Sequence, residues 1–263
     1  MGAVVYVGAV VYKLTAFQTL SHGWHARPVR EEPMNRTAMF LTAVSSIVLT
    51  LSVTAVGAAT IQIDATDTGA YQSSGFHNGS NENYITGIFT SENRSFFVFD
   101  LAGVSGTITS ATLNLFNPGA GPCCLGYVSP DPTETFALMD VSTPVSTLVA
   151  TGTNVAIFDD LGTGTTFGQY IASAADNGTT ISIVLNAAGI DALNAAAGDQ
   201  IAFGGVLTTL GGVPSEYLFG FSTATFVEDD VRRLDLTIVP EPISLALLGL
   251  GLAAVAVRRR RHS

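Results

Sequence analysis

The sequence predicts an all-β protein: an antiparallel β-sandwich, jelly-roll-like, with one short helix, flanked by an N-terminal signal helix and a C-terminal transmembrane helix. Three observations predict it. Between Thr60 and Ile238, short runs rich in β-branched and aromatic residues recur between Gly, Pro, Asn and Asp clusters. Within Thr107 to Phe116 apolar and polar residues alternate, with Leu113 between Thr112 and Asn114 on the opposite face. The two long apolar segments lie outside this span, one at each end.

Taken in order, the expected strands are Thr60 to Ala65, Tyr84 to Phe89, Phe96 to Leu101, Ile108 to Phe116 and Glu134 to Val141. Asn154 to Phe158, Thr179 to Leu185, Gln200 to Val206, Glu216 to Phe221 and Arg232 to Ile238 complete the set. Strands of this length and spacing, joined by turns such as Asn117-Pro118-Gly119 and Asp176-Asn177-Gly178, suit a sandwich or jelly roll. Ala187 to Ala197 breaks the rule: it is Ala-rich, places Ile190 and Leu193 three apart and stops at Gly198, which predicts a one-sided helix. Pro144 to Val149 predicts a single turn.

Four regions follow from this reading. Residues 1–33 lack a clear pattern and read as an extension ahead of a start at Met34; residues 34–59 form a signal peptide; residues 60–238 form the sandwich; residues 239–263 form a tail. In the signal peptide, Arg36 precedes an uncharged apolar stretch from Ala38 to Val56, and small residues follow. Val56-Gly57-Ala58 and Gly57-Ala58-Ala59 both satisfy the small-x-small rule, so cleavage is expected at Ala58 or Ala59, after passage through the Sec translocon. The alternative is a retained anchor, because the apolar stretch is long for a signal peptide.

At the other end, Pro240-Glu241-Pro242 precedes an apolar stretch from Ile243 to Val257 and then Arg258-Arg259-Arg260-Arg261. Two prolines hold an extended segment open to a protease. The arginines must remain cytoplasmic, so translocation stops with the Pro-Glu-Pro segment at the outer face. This three-part order resembles the PEP-CTERM sorting domain, the substrate signal of exosortases, integral-membrane cysteine proteases of exopolysaccharide-producing bacteria. The resemblance implies cleavage near Pro240, Glu241 and Pro242, a transient inner-membrane anchor, and release to the cell surface or extracellular matrix.

A second resemblance covers Arg94 to Phe116, RSFFVFDLAGVSGTITSATLNLF. Its Phe-Asp-Leu and Ile-Thr-x-Ala-Thr-Leu-x-Leu elements are similar to those of DNRLRE-type and related carbohydrate-binding-module-like jelly rolls. That implies the fold class and no functional residue.

Charge narrows the partners. The chain carries a formal net charge of −10, and from Ile61 to Val239 its basic residues are Arg94, Arg232 and Arg233. Asp64, Asp67, Asp100, Asp159, Asp160 and Glu228-Asp229-Asp230 oppose them, so a phosphate backbone is repelled and nucleic acid is excluded as a partner. Cys123 and Cys124 are adjacent in the Gly/Pro-rich stretch Gly119 to Gly126, too few and too close for a zinc site. They read as two loop thiols, with a strained vicinal disulfide as the alternative.

Little points to catalysis. The body has one His, His77, in the turn-rich Gly75-Phe76-His77-Asn78-Gly79, where a solvated ring is expected. No Gly-x-Ser-x-Gly elbow, phosphate loop or His-Glu-x-x-His is present, so no enzymatic activity and no catalytic residue are expected. No cofactor is expected either, apart from a structural calcium ion as a candidate. Its ligands would come from Asp64 and Asp67, or from Asp159 and Asp160, and an unchanged thermal midpoint under chelator would exclude it.

The leading functional expectation is a structural or adhesive role in an exopolysaccharide or biofilm matrix. The alternative is a carbohydrate-binding module for the matrix glycan, against which stands the lack of Trp in residues 60–238. A secreted glycan-active enzyme ranks third.

Overall fold

A computed structural model describes residues 57–119, 126–212, 215–220 and 231–240. All of them belong to the compact unit that begins at Val53; the preceding unit, Met1–Ser52, lies outside the described residues. The body is all-β with few helices. In chain order its first strands are β1 (Ala59–Asp64), β2 (Asp67–Gln72), β3 (Phe76–His77), β4 (Thr86–Ile88) and β5 (Glu92–Asp100). Then come β6 (Thr107–Asn117), β7 (Glu134–Asp140), β8 (Gly152–Thr153), β9 (Thr166–Ala172) and β10 (Thr179–Val184). Last are β11 (Gln200–Leu207), β12 (Glu216–Leu218) and β13 (Arg232–Val239). Among the described residues three short α-helices interrupt them, α1 (Val145–Leu148), α2 (Val155–Asp160) and α3 (Ala187–Ala195), with a 3-10 turn at Ala174–Asp176.

The strands make two main antiparallel sheets. One has the order β1-β13-β6-β10; the other runs β12-β4-β5-β11-β7-β9, with β2 also paired to β5. β3 and β8 form a small separate pair. A single apolar cluster draws on both main sheets. Leu113 and Leu115 of β6, Ile181 and Ile183 of β10, and Leu234 and Leu236 of β13 are buried in it with Phe97 and Phe99 of β5, Phe136 of β7 and Phe203 of β11. Strict alternation in β10 and β13 puts every second residue into this layer. In β6 the alternation slips: a register shift between Thr237 and Ile238 lets Ile108 and Ala111, three apart, both bury.

β5 is buried on both faces. Phe97 and Phe99 point into the shared core, while Phe96 and Val98 belong to a second cluster with Tyr71, Leu148, Ile157 and Leu161. α1 and α2 supply most of that cover. A strand enclosed on two sides reads as an unbroken apolar run, which is the pattern of Phe96-Phe97-Val98-Phe99. Gly204 of β11 permits the close fit of α2, because a Cβ there would meet the Leu161 carbonyl oxygen at 2.5 Å.

Several expectations are corrected. Asn154 to Phe158 is not a strand: Asn154 accepts from the Ala156 N–H at 3.0 Å and caps α2, whose Ile157 and Phe158 pack on the outer face of β5. The apolar run there is too short to separate strand from helix by period alone. The candidate ligands Asp64 and Asp67 sit on strands, since β1 ends at Asp64 and β2 begins at Asp67. β2 and β9 were not expected, and Tyr84 and Ile85 precede β4 rather than opening it. The first residue of β1, Ala59, coincides with the expected cleavage point. The expected helix at Ala187 is present as α3, capped by Asn186, which accepts from the Gly189 N–H. The expected signal helix up to Val56, the expected C-terminal transmembrane helix, and Cys123 and Cys124 lie outside the described residues.

Candidate functional site

The tail leaves the domain directly from β13. This strand lies between β1 and β6, with Ile238 opposite both Ala59 and Ile108. Val239 is its last residue, and Pro240 follows without a linker. Gly106, in the turn before β6, sits under this exit with φ +102; a Cβ there would come within 2.7 Å of the Val239 carbonyl oxygen and 3.0 Å of Pro240 Cα. Ala58 and Ala59 are exposed at the start of β1, beside the same exit. The structure thus brings the two expected processing points together. Glu241, Pro242, Arg258, Arg259, Arg260 and Arg261 lie outside the described residues.

The expected calcium ligands are not gathered into a group of three or more among the described residues. Asp64 is exposed at the end of β1. Burial pushes the Asp67 carboxyl above its ordinary value, and the charge of Glu82 adds to the rise while the Thr68 N–H opposes it. Asp160 is committed to its own chain: its carboxylate accepts from Ser142 N at 3.1 Å, Ser142 Oγ at 2.8 Å, Thr143 N at 2.8 Å and Thr143 Oγ1 at 2.7 Å. Burial alone would raise its carboxyl, but these bonds outweigh that and hold it below the ordinary value. Asp159 is exposed, and its carbonyl accepts from Arg94 and Thr163.

A different set converges. Asp131, Glu134 and Glu216 place one carboxylate oxygen each within 4.8 Å of the others. Glu134 is 1% exposed and Glu216 fully buried. Glu134 accepts from Ser129 Oγ at 2.7 Å and from Thr209 Oγ1; Glu216 accepts from the Gly211 N–H at 2.8 Å and the Gly212 N–H at 3.1 Å. The same negative charges, after burial, help push the Tyr127 hydroxyl up. An all-oxygen trio of this kind has the chemistry to hold a hard divalent cation. Sequence reasoning missed it because Glu216 is far from Asp131 and Glu134 along the chain, and the strand bridge Val128–Tyr217, with the Thr209–Glu134 hydrogen bond, brings the segments together.

His77 is corrected as well. The ring is 2% exposed, stacks on Tyr71 at 4.6 Å and meets Phe96 edge-on at 5.2 Å. Nδ1 lies 3.0 Å from the Ala70 carbonyl oxygen, so Nδ1 carries the proton and Nε2 is left as an acceptor. That Nε2 is buried without a partner.

An all-β body whose last strand runs without a linker into a Pro-Glu-Pro segment has the layout of an exported domain with a removable tail. Comparison with known families agrees: residues 239–261 match the PEP-CTERM protein-sorting motif. The chain carries this motif, which marks an exported protein processed by exosortase, with a C-terminal membrane-anchor region. No curated protein matches the chain. No helix among the described residues is long and apolar enough to cross a membrane.

Proposed function

We infer that the chain is a non-enzymatic surface or extracellular protein with a structural or adhesive role in an exopolysaccharide matrix. Its body is a jelly-roll-like sandwich, delivered by the Sec translocon, freed by signal peptidase at Ala58 or Ala59, and released by exosortase at the Pro-Glu-Pro segment. The observation that carries this reading is the sorting motif at residues 239–261, continuous with β13. With Pro240 abutting the folded body, the protease reaches its bond only beside the membrane surface, where the arginine cluster holds the tail.

The test is mass spectrometry of the protein recovered from cells with and without their exosortase. A C-terminus among residues 240–242 is expected when the protease is present, and a chain ending at Ser263 when it is deleted. An intact Ser263 in both would overturn the assignment. Deleting the gene should then weaken matrix cohesion without changing the amount of polysaccharide made.

A further inference from the structure

We propose that a cavity between β2, β3 and the β4–β5 turn is a binding site for one neutral sugar ring. The cavity measures about 160 Å³. That is small beside the roughly 300–1,000 Å³ of drug-sized sites, so it takes one ring or the end of a chain. Two partly exposed aromatic side chains line it: Phe76 is 46% exposed and Phe89, whose ring also meets Tyr217 edge-on, 41%. Exposed phenylalanines are costly to leave uncovered, and they offer the flat apolar surface on which the C–H face of a pyranose stacks.

Ala70 and Ile85 add apolar wall, and most of the rest is amides and a hydroxyl. Gln72, Asn78, Asn81 and Thr90 line the cavity. Asn78 and Asn81 each spend Oδ1 on a backbone N–H, of Ser80 and Asn83, both at 3.1 Å. Their Nδ2 groups, and the side chains of Gln72 and Thr90, have no partner among the described residues. Amides donate and accept at adjacent atoms, as vicinal hydroxyls do. His77 also lines the cavity, its ring stacked on Tyr71 behind the wall. No Asp, Glu, Lys or Arg lines the cavity, which selects an uncharged ligand.

The wall is held in place before any ligand arrives. The Asn154 N–H donates to the Gly75 carbonyl at 2.9 Å and the Gly79 N–H to Thr151 Oγ1 at 2.8 Å, tying the β3 loop to the β8 segment. Thr68 Oγ1 donates to the Glu82 carbonyl at 2.7 Å, and Arg232 of the other sheet pairs with the Glu82 carboxylate at 3.0 Å. A preformed wall lowers the entropy cost of binding a weak ligand.

Saturation-transfer NMR on the full chain, in a detergent without sugar headgroups, tests the proposal. The probes are glucose, galactose and mannose, with glucuronate and an uncharged Gly-Ser peptide as counterparts. Transfer from at least one neutral hexose is expected, with little from glucuronate or the peptide. Phe76→Ala and Asn81→Ala should each weaken that binding roughly two- to tenfold, while Thr180→Ala, on the other sheet, leaves it unchanged. Both sites of loss are exposed, so the thermal midpoint should stay put and separate lost binding from lost folding. No transfer from any neutral hexose, transfer indifferent to both alanine variants, or preference for glucuronate or the peptide would each overturn the proposal. The tail takes no part in this test, so its failure leaves the sorting assignment standing.

Discussion

Ala59 and Ile238 face each other in adjacent antiparallel strands, β1 and β13. The chain therefore enters and leaves the domain side by side, at one end of one sheet. Both proposed processing enzymes act at a membrane surface, and this pairing lets the folded body present both junctions to it from the same end. The consequence for the N-terminus is specific. Cleavage after Ala58 or Ala59 leaves the ladder intact from Thr60 opposite Thr237 to Asp64 opposite Arg233. N-terminal sequencing of the mature protein should give Ala59 or Thr60. A start beyond Ile61 would strip β1 and leave β13 as an open edge prone to association.

Arg94 supports a prediction of its own. Its guanidinium lies 4.2 Å from the Phe158 ring centroid, donates to the Phe158 carbonyl at 3.1 Å and the Asp159 carbonyl at 3.3 Å, and pairs with Glu92 at 3.2 Å. It thus closes the C-terminal end of α2, where carbonyls lack helical partners. A lysine keeps the charge but loses the planar fork and the stacking. Arg94→Lys should cost about 1–2 kcal/mol in urea denaturation, and Arg94→Met more. A lysine variant as stable as the parent would show that charge alone matters there.

How much of this was legible follows from length and periodicity. β13 was readable because Leu234, Leu236 and Ile238 bury alternately, and β6 because its buried apolar residues Ala111, Leu113 and Leu115 do the same over its middle. β2 was not: Asp67-Thr68-Gly69-Ala70-Tyr71-Gln72 has a turn-like start and few apolar residues, and its place is fixed by pairing with β5. α2 was misread because its apolar residues serve a two-sided β5 that no local pattern announces. The sorting tail was legible in full, since its signal is contiguous. The acidic trio and the Phe76–Phe89 cavity were not, because strand pairing over long sequence distances assembles them. His77 looked solvated because its neighbours are turn residues; the ring contact with Tyr71 outweighed them.

Acid stability should divide between two aspartates of opposite sign. The Asp160 carboxyl is held below its ordinary value of 3.8, so the native state binds its proton less tightly than the unfolded chain. Its contribution is complete above that value and drains away as pH falls below it, through the lower folded value. Asp67 is raised above 3.8, so whatever it contributes is present below that value and is lost as pH rises through the higher folded one. At neutral pH, Asp160→Asn should therefore destabilise and Asp67→Asn should stabilise. Urea midpoints at pH 3, 5 and 7, chosen to bracket both transitions, check this. The Asp160→Asn deficit should shrink at the lowest pH, and so should the Asp67→Asn gain.

The two-faced burial of β5 gives the sharpest test of the architecture. In a plain two-sheet sandwich the outer face of a strand is wet, and truncating a residue there costs little. Here Phe96 and Phe97 point to opposite faces and neither retains exposed surface. Phe97→Ala opens a cavity in the layer shared with Tyr84, whose ring lies 5.4 Å away. Phe96→Ala opens one beneath α1 and α2, against Tyr71 and His77 at 6.2 and 5.2 Å. Each substitution should cost about 3–5 kcal/mol, read as a shift of the denaturation midpoint at constant slope. A cost for Phe96→Ala below about 1 kcal/mol would mean that α1 and α2 do not cover β5. The Arg94 contact with α2 would then lose its physical basis as well.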